Sequence, residues 1–317
     1  MNLQINIKEL DGKKLYYYDN EWQKPVITEY QIFKLYYEQE NIPTNYFAFP
    51  WATMIDNYNH KKNRNLYNFV SKYKIEPSEI PCFTVMQHIY YYKHLDIVSS
   101  IGITHVFTPH KDTGYEELEK KYNIKLISFS LFPAQSFDNT SNLINVLERK
   151  YLMSFIGQYN PSCYLTDIRD KIFKLLPNNE TNFIKRRGEW HYESMVYRNK
   201  KETNINNEKE YIDNMLETKF SLCPSGSGPN SIRIWESISF GTIPIILADT
   251  LILPEIKNIV WSDYFIIWKE SELDKLEKYL ETLSDDKILS MSNNCINLYA
   301  EYFCPGKMNN LINKYFS

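Results

Sequence analysis

Apolar positions along this chain recur in two rhythms. Short apolar or aromatic runs, "NLQINI", "NYFAFPW", "CFTVMQ", "ITHVFTP" and "KLISFSLF", each close on a breaker or a polar cluster, as buried strands do. Among them, "VITEYQIFKLYYEQE" has apolar residues at helical spacing and "DTGYEELEKKY" is a more polar helix pattern. Strands alternating with helices predict a largely parallel sheet covered by helices. A polar stretch, "PAQSFDNTSN" at 133–142, reads as a linker, and the rhythm then restarts. "YLMSFIG" and "NFIKRRGEW" are strand-like, "PSCYLTDIRDKIFKLL" is helical, and "NKKETNINNEKE" is a solvated insertion leading into the helix "YIDNMLETK". "KFSLC", "IPIILAD" and "YFIIWK" are further strands, and three helical segments close the chain. The expected architecture is α/β, with two Rossmann-like doubly wound domains, 1–140 and 141–317, facing a central cleft.

Composition agrees with this reading and narrows it. The 317 residues exceed one ordinary core and suit two domains of about 150 residues each. A net charge of −3 with no basic run gives no footprint for nucleic acid. Cys82, Cys163, Cys223, Cys295 and Cys304 are scattered, odd in number and lack a CxxC pair, which argues for reduced thiols over disulfides or zinc. The opening residues lack the apolar core of a signal peptide. No apolar run reaches membrane-spanning length, so no transmembrane segment is expected, and peripheral membrane contact stays open. A cytoplasmic protein is expected.

The most organised stretch is "FSLCPSGSGPNSIRIWESISFGTIPIILAD", residues 220–249, with three of the nine glycines. A buried strand runs into the tight loop "PSGSG". Pro229 fits the first position of a helix running to Phe240, and Gly241 caps it. Small residues let the backbone approach a ligand, and the free amides of a first helical turn suit an anion such as a diphosphate. Ser225, Gly226, Ser227, Gly228, Asn230 and Ser231 line that approach. Arg233 can neutralise phosphate charge, and Glu236 can accept hydrogen bonds from a ribose diol. The same spacing is equally compatible with a well-capped strand–helix–strand unit carrying a surface ion pair between Arg233 and Glu236. A phosphate-binding Gly-Lys-Ser/Thr is absent, and a dinucleotide fingerprint would need glycine where Ser231 stands.

"CPSGSGPNSIRIWESISFGTIPIILAD" resembles the signature of the exostosin-like glycosyltransferases: a Cys-Pro and Gly loop, Ser-x-Arg-x-x-Glu, then Gly-x-x-Pro and a closing Asp. Ser231, Arg233, Glu236, Gly241, Pro244 and Asp249 fall in place. "NYFAFPWATMID", "PCFTVMQH" and "ERKYLMSFIGQYNPSCYLTDIRDKIF", with Arg169 in the last, are similar to other parts of that family, so the likeness covers roughly residues 40 to 255. The resemblance implies a two-domain GT-B fold and an inverting transferase using a nucleotide sugar, most often a UDP-sugar. It implies a carbohydrate or glycoconjugate acceptor, and Ser231, Arg233 and Glu236 as the residues holding the nucleotide.

Such a transfer needs a base for the acceptor hydroxyl and stabilisation of the departing diphosphate. No Asp-x-Asp is present to hold a metal, so no metal and no cofactor are expected. His88 directly follows the strand "CFTVMQ" and is the leading candidate base, ahead of Asp56 and His110; each also reads as a polar loop end or helix cap. His94 is expected on a solvated helix face. Arg187, in "FIKRRGEW", could reach the phosphates or merely protect a sheet edge. Glu189 and His191 follow it, and spacing does not decide their role. Two rivals stand beside the transferase: a glycan-binding relic without turnover, and a dinucleotide-dependent oxidoreductase, against which the missing third glycine speaks.

Overall fold

A computed structural model describes residues 3–24, 26–137, 143–188 and 201–317, the side chains of 201–204 excepted. The chain forms two compact units. Unit 1 comprises residues 1–132, 251–255 and 308–317; unit 2 comprises 133–250 and 256–307. The crossing at 132/133 lies close to the expected linker. Residues 251–255 and the terminal helix, however, return to unit 1, whereas the sequence reading keeps everything after 140 in the second domain.

Unit 1 is built on a six-stranded sheet in the order β1 to β6: Asn6–Leu10, Lys13–Tyr17, Asn45–Ala48, Cys82–Val85, His105–Thr108 and Lys125–Ser128. β1 and β2 are an antiparallel hairpin, and every later pairing is parallel. Asp11 and Gly12 both have positive φ, the two-residue turn that Asp-Gly favours because its twist matches that of the strands. The sequence reading has one strand here and misses β2. The helices are α1 (Thr28–Gln39), α2 (Trp51–Asn59), α3 (Asn65–Val70), α4 (Leu95–Ile101) and α5 (Tyr115–Tyr122). Strand alternation divides the core into two faces. Phe47, Cys82, Val106 and Leu126 pack with Trp51, Ile55, Val70 and Leu95. On the other face Tyr46 and Phe83 stack at 4.4 Å and meet Tyr36 of α1 edge-on.

Unit 2 is a five-stranded, wholly parallel sheet formed by β7 (Tyr151–Gly157), β8 (Asn182–Arg186), β9 (Thr218–Pro224), β10 (Ile243–Leu247) and β11 (Ile266–Ile267). Its spatial order is β11-β10-β9-β7-β8. From β7 the chain goes to one side for β8 and to the other for β9. The sheet therefore has its topological switch point between β7 and β9, where parallel sheets bind ligands at the carboxyl ends of the strands. The helices of this unit are α6 (Ile168–Leu175), α7 (Lys201–Leu216), α8 (Ile232–Ser239), α9 (Leu276–Leu280) and α10 (Asp285–Leu298). The chain ends in α11 (Asn310–Tyr315), which belongs to unit 1. Both units are thus Rossmann-like α/β, the class that a GT-B resemblance implies.

Three helices depart from expectation. α6 begins only at Ile168, because 158–167 form an irregular loop. α7 starts at Lys201, inside the stretch read as a solvated insertion; its long polar face is solvated while Tyr211 and Met215 anchor it. α8 starts at Ile232 and not at Pro229, since Ser231 is extended (φ −110°, ψ 131°). Gly241 caps it as expected, at φ 62°.

Candidate functional site

The switch point is crowded with small residues and arginines. β7 ends in Gly157 and β9 in Pro224, from which the loop Ser225–Ser231 leads to α8. A Cβ at Gly157 would lie 2.6 Å from the Phe155 ring, and one at Gly226 would lie 3.3 Å from Arg169 Nη2. The loop is pinned by its own backbone: the Ser225 N–H donates to Leu247 O (2.9 Å) and the Gly226 N–H to Gly228 O (2.9 Å). The Ser225 hydroxyl lies 3.0 Å from Thr166 Oγ1 and donates to Glu270 Oε1 at 3.3 Å. The Glu270 N–H in turn donates to Asp249 Oδ1 (3.0 Å).

Two guanidiniums flank the Phe155 ring. Arg233 lies 4.6 Å from its centroid and donates one N–H to Ile156 O. Arg169 lies 5.6 Å from the same ring and 4.5 Å from Tyr164, and donates to Ser225 O (2.9 Å) and Gln158 O (3.3 Å). Burial pushes the Arg169 guanidinium down to about 10, and the charge of Arg233 pushes the same way. Arg187 stands by the same strand end, its backbone N–H on Gly157 O, and pairs with Glu210. Among the described residues, neither Arg169 nor Arg233 has a carboxylate ion-pair partner. Arg149 shows what a purely structural arginine looks like in this unit. It is buried and donates to Ile144 O, Thr218 O, Thr242 Oγ1 and Phe240 O. Arg233 has only one such bond among the described residues. Like charges held together on an aromatic platform, at the start of a helix, are suited to receive an anion.

Glu236 is not open to this space. It is 3% exposed; Oε2 accepts from the Tyr211 hydroxyl (2.7 Å) and Oε1 from the Gln135 N–H (3.0 Å). Burial pushes its carboxyl up, against the pull of those bonds and of Arg233. It forms no ion pair with Arg233 among the described residues. Glu270 faces Ser225 and is the carboxylate the loop touches, its carboxyl likewise pushed up, by burial first.

In unit 1 a second polar cluster forms where α2, the end of β4 and α1 meet. His88 Nε2 lies 3.0 Å from Asp56 Oδ1, and the Tyr90 N–H donates to His88 Nδ1 at 3.0 Å. A ring nitrogen that accepts from an amide carries a lone pair, so the proton resides on Nε2 and is donated to Asp56. Both nitrogens of His88 are then occupied. Asp56 is the open group, with its side chain 41% exposed against 10% for His88. Burial pushes the Asp56 carboxyl up, but the hydrogen bonds it accepts from His88 and Gln23 outweigh it and hold it below its ordinary value. Behind this pair, buried Glu29 accepts from the Gln87 N–H (2.9 Å) and the Ala52 N–H (3.1 Å). Burial pushes its carboxyl up to about 8 despite those bonds. His110 is buried as well, and burial pushes its imidazole down to about 3.

The chain matches the Exostosin GT47 domain over residues 118–283, just over half of its length and including the whole switch-point loop. It belongs to the exostosin GT47 family. This GT47 chain is 37% identical over 79 residues to a rice (Oryza sativa subsp. japonica) protein named probable glucuronosyltransferase Os01g0926700. It is 35% identical over 79 residues to the Arabidopsis thaliana protein named probable beta-1,4-xylosyltransferase IRX10L. Each match covers 25% of this chain and 19% of the relative, so the GT47 chain matches about a fifth of the length of these curated relatives. Among solved structures, the crystal structure of the GtfA/B complex superposes with a TM-score of 0.43 at 11% identity, covering 98% of this chain and 64% of that one.

Of the residues singled out in the GT47 sequence, Ser225, Gly226 and Arg233 converge at the switch point, with Arg187 at the neighbouring strand end. Ser227 is exposed on the loop, Gly228 accepts the loop's internal bond, and Ser231 precedes α8 without a side-chain cap bond. Asn230 is buried and accepts from the Trp235 indole (3.0 Å), so it shapes the loop from beneath. Asp56 and His88 meet as a pair. His110 is packed inside, and His94 is 4% exposed against Tyr58 and Tyr67, not solvated as expected. Glu189 and His191 lie outside the described residues. Sequence reasoning missed Glu270, which follows the short strand β11, and Glu29, in the first turn of α1. An acidic residue in a first turn is ordinary, and nothing local marks Glu29 as buried. Among the described residues, no helix is long and apolar enough to cross a membrane.

Proposed function

We propose that this chain is a glycosyltransferase that moves a sugar from a nucleoside-diphosphate donor, a UDP-sugar, to a hydroxyl of a glycan or glycoconjugate, with inversion and without a metal. The observation that carries this reading is the pair of guanidiniums, Arg233 and Arg169, on the Phe155 ring at the switch point of unit 2. The diphosphate rests against them and against the start of α8, with the Ser225 loop in close approach and Arg187 adding charge. Glu270, and not the enclosed Glu236, takes the ribose diol. In a single displacement the acceptor oxygen bonds to the anomeric carbon as the bond to the diphosphate breaks. The acceptor proton passes to Asp56, and His88 holds that carboxylate in place. The arginines stabilise the negative charge that develops on the leaving diphosphate.

The test is a panel of UDP-, GDP- and dTDP-sugars, scored for free nucleoside diphosphate with and without oligosaccharide acceptors, in EDTA. Acceptor-dependent release from one UDP-sugar, with the opposite anomeric configuration in the product, is the expected result. Sugar binding with no release from any donor would support the relic reading instead.

A further inference from the structure

In unit 1 a one-way run of hydrogen bonds leads from the backbone to Asp56. Gln87, two residues past β4, is 4% exposed, and its side-chain Oε1 accepts the Glu29 N–H (3.0 Å). That bond decides which end of the amide is which. Nε2 must then be the donor, and it gives its protons to Val26 O (2.7 Å) and to Gln23 Oε1 (2.8 Å). With its own Oε1 taken, Gln23 turns an N–H toward Asp56, and its Nε2 lies 2.5 Å from Asp56 Oδ2. Donors therefore point one way, from the amide of Glu29 through Gln87 and Gln23, and the run ends on the carboxylate.

Glu29 also reaches Asp56 by a second route. Its Oε2 accepts the N–H of Ala52 (3.1 Å), the second residue of α2, a helix whose N-cap makes no side-chain cap bond. Asp56 is one turn further along that helix. Glu29 Oε1 accepts the Gln87 N–H (2.9 Å), which makes a reciprocal pair with the first bond of the run. The backbone of Asp56 is thus held from Glu29 through α2, and its carboxylate through Gln23. His88 holds the other oxygen, Oδ1, at 3.0 Å. One donor on each oxygen sets the plane of the carboxylate, and each oxygen keeps a second lone pair on a side chain that is 41% exposed. Besides His88, the ionisable groups whose charge reaches Asp56 are His60, where α2 ends, and Glu29, whose carboxyl burial pushes up to about 8.

We infer that Gln23 is a positioning residue. Resting on the reading of Asp56 as the base, it aims that carboxylate at the acceptor hydroxyl by holding the oxygen that His88 leaves free, and Gln87 and Glu29 fix the amide orientation that lets it do so.

Carbon-13 labelling of the aspartate carboxyls in the whole chain, with the Asp56 signal identified by its loss in Asp56→Asn, tests this without requiring turnover. Gln23→Glu keeps the bond from Gln87 and puts an oxygen where the N–H was. The Asp56 midpoint is expected to move up by about one pH unit, because two carboxyls then compete for one proton. Gln23→Met removes both bonds at similar volume and is expected to move the midpoint up less. With the UDP-sugar that the donor panel finds active, both variants should lower kcat about ten-fold and leave KM for the donor within about two-fold. The acid limb of the pH–rate profile should move with the Asp56 midpoint, which a loss of fold would not produce. An Asp56 midpoint unmoved by Gln23→Glu, or a moved midpoint with unchanged kcat, would overturn the inference. Normal turnover in Asp56→Asn would remove the base reading, and the part of Gln23 in the reaction with it, while the Asp56 titration would still report the hydrogen bond.

Discussion

The two polar centres of this protein solve opposite problems. At the switch point of unit 2, positive charge is assembled without carboxylate partners for Arg169 and Arg233, and aromatic rings support it. At the corner of α1, α2 and β4 in unit 1, buried Glu29 accepts from two amides and His88 is held between Asp56 and the Tyr90 amide, with Asp56 the more open partner of that pair. On the proposed function, the first centre receives a ligand that brings charge with it. The second keeps its groups tuned by neighbours: Asp56 Oδ1 meets His88 and Oδ2 accepts from Gln23, while the side chain stays 41% exposed. In the proposed reaction the first would stabilise the leaving group and the second would take the proton.

The comparison breaks first at Asp56. Asp56→Asn should lower turnover by about 10²–10⁴-fold, the usual contribution of a positioned base. His88→Gln should cost less, about ten-fold. Without the His88 hydrogen bond the Asp56 carboxyl moves up, so the acid limb of the pH–rate profile shifts to higher pH. If His88→Gln proves the more damaging, the roles assigned to the pair are reversed. Next comes Arg233→Ala, expected to reduce turnover about 100-fold and to weaken UDP binding, read by calorimetry. Near-normal transfer would remove the anion site from the switch point. Gly226→Ala should be milder, a few-fold in KM for the donor, because the added methyl group presses on Arg169 at 3.3 Å and that side chain can shift.

The smallest expected effect is on stability, and it isolates unit 1. Folded Glu29 keeps its proton up to about pH 8, against 4.5 for an ordinary glutamate, so stability falls as pH rises through that interval. Folded His110 stays neutral down to about pH 3, against 6.5 ordinarily, so stability falls as pH drops through that interval. Between about 4.5 and 6.5 the two slopes oppose each other. Thermal unfolding should therefore show a plateau there, with a decline on each side. Glu29→Gln should flatten the alkaline decline and His110→Gln the acid one; unchanged slopes in both would show that other groups govern them.

The two centres also differ in how far the sequence announces them. The switch-point loop is local: strand, glycines, arginine and capping glycine lie within thirty residues, and each obeys a short-range rule. What was misread there is local too. Pro229 fits a helix start, but the Asn230 side chain serves Trp235 and the Gly226–Gly228 bond keeps the loop tight, so the helix waits until Ile232. The carboxylate that meets the loop, Glu270, lies 45 residues from Ser225, and no periodicity reaches that far. The corner of unit 1 is wholly non-local. Gln23, Glu29, Asp56 and His88 come from four separate segments, and spacing along the chain carries no trace of their meeting. Loop-end polar residues could be named as candidates, but which nitrogen of His88 carries the proton depended on the Tyr90 amide.

The return of the chain to unit 1 has a bearing on how the protein is made. Phe316 packs at 5.7 Å from Phe83 and 6.0 Å from Phe107, and the Tyr36 hydroxyl donates to Asn313 at 2.9 Å. One side of the first sheet is therefore finished by residues that leave the ribosome after every described strand of unit 2. Until they emerge, a nascent first unit exposes Tyr36, Phe83 and Phe107 to whatever chaperone or aggregate is at hand, while unit 2 already has all of its own strands. The order of translation and the order of completion are inverted for this molecule.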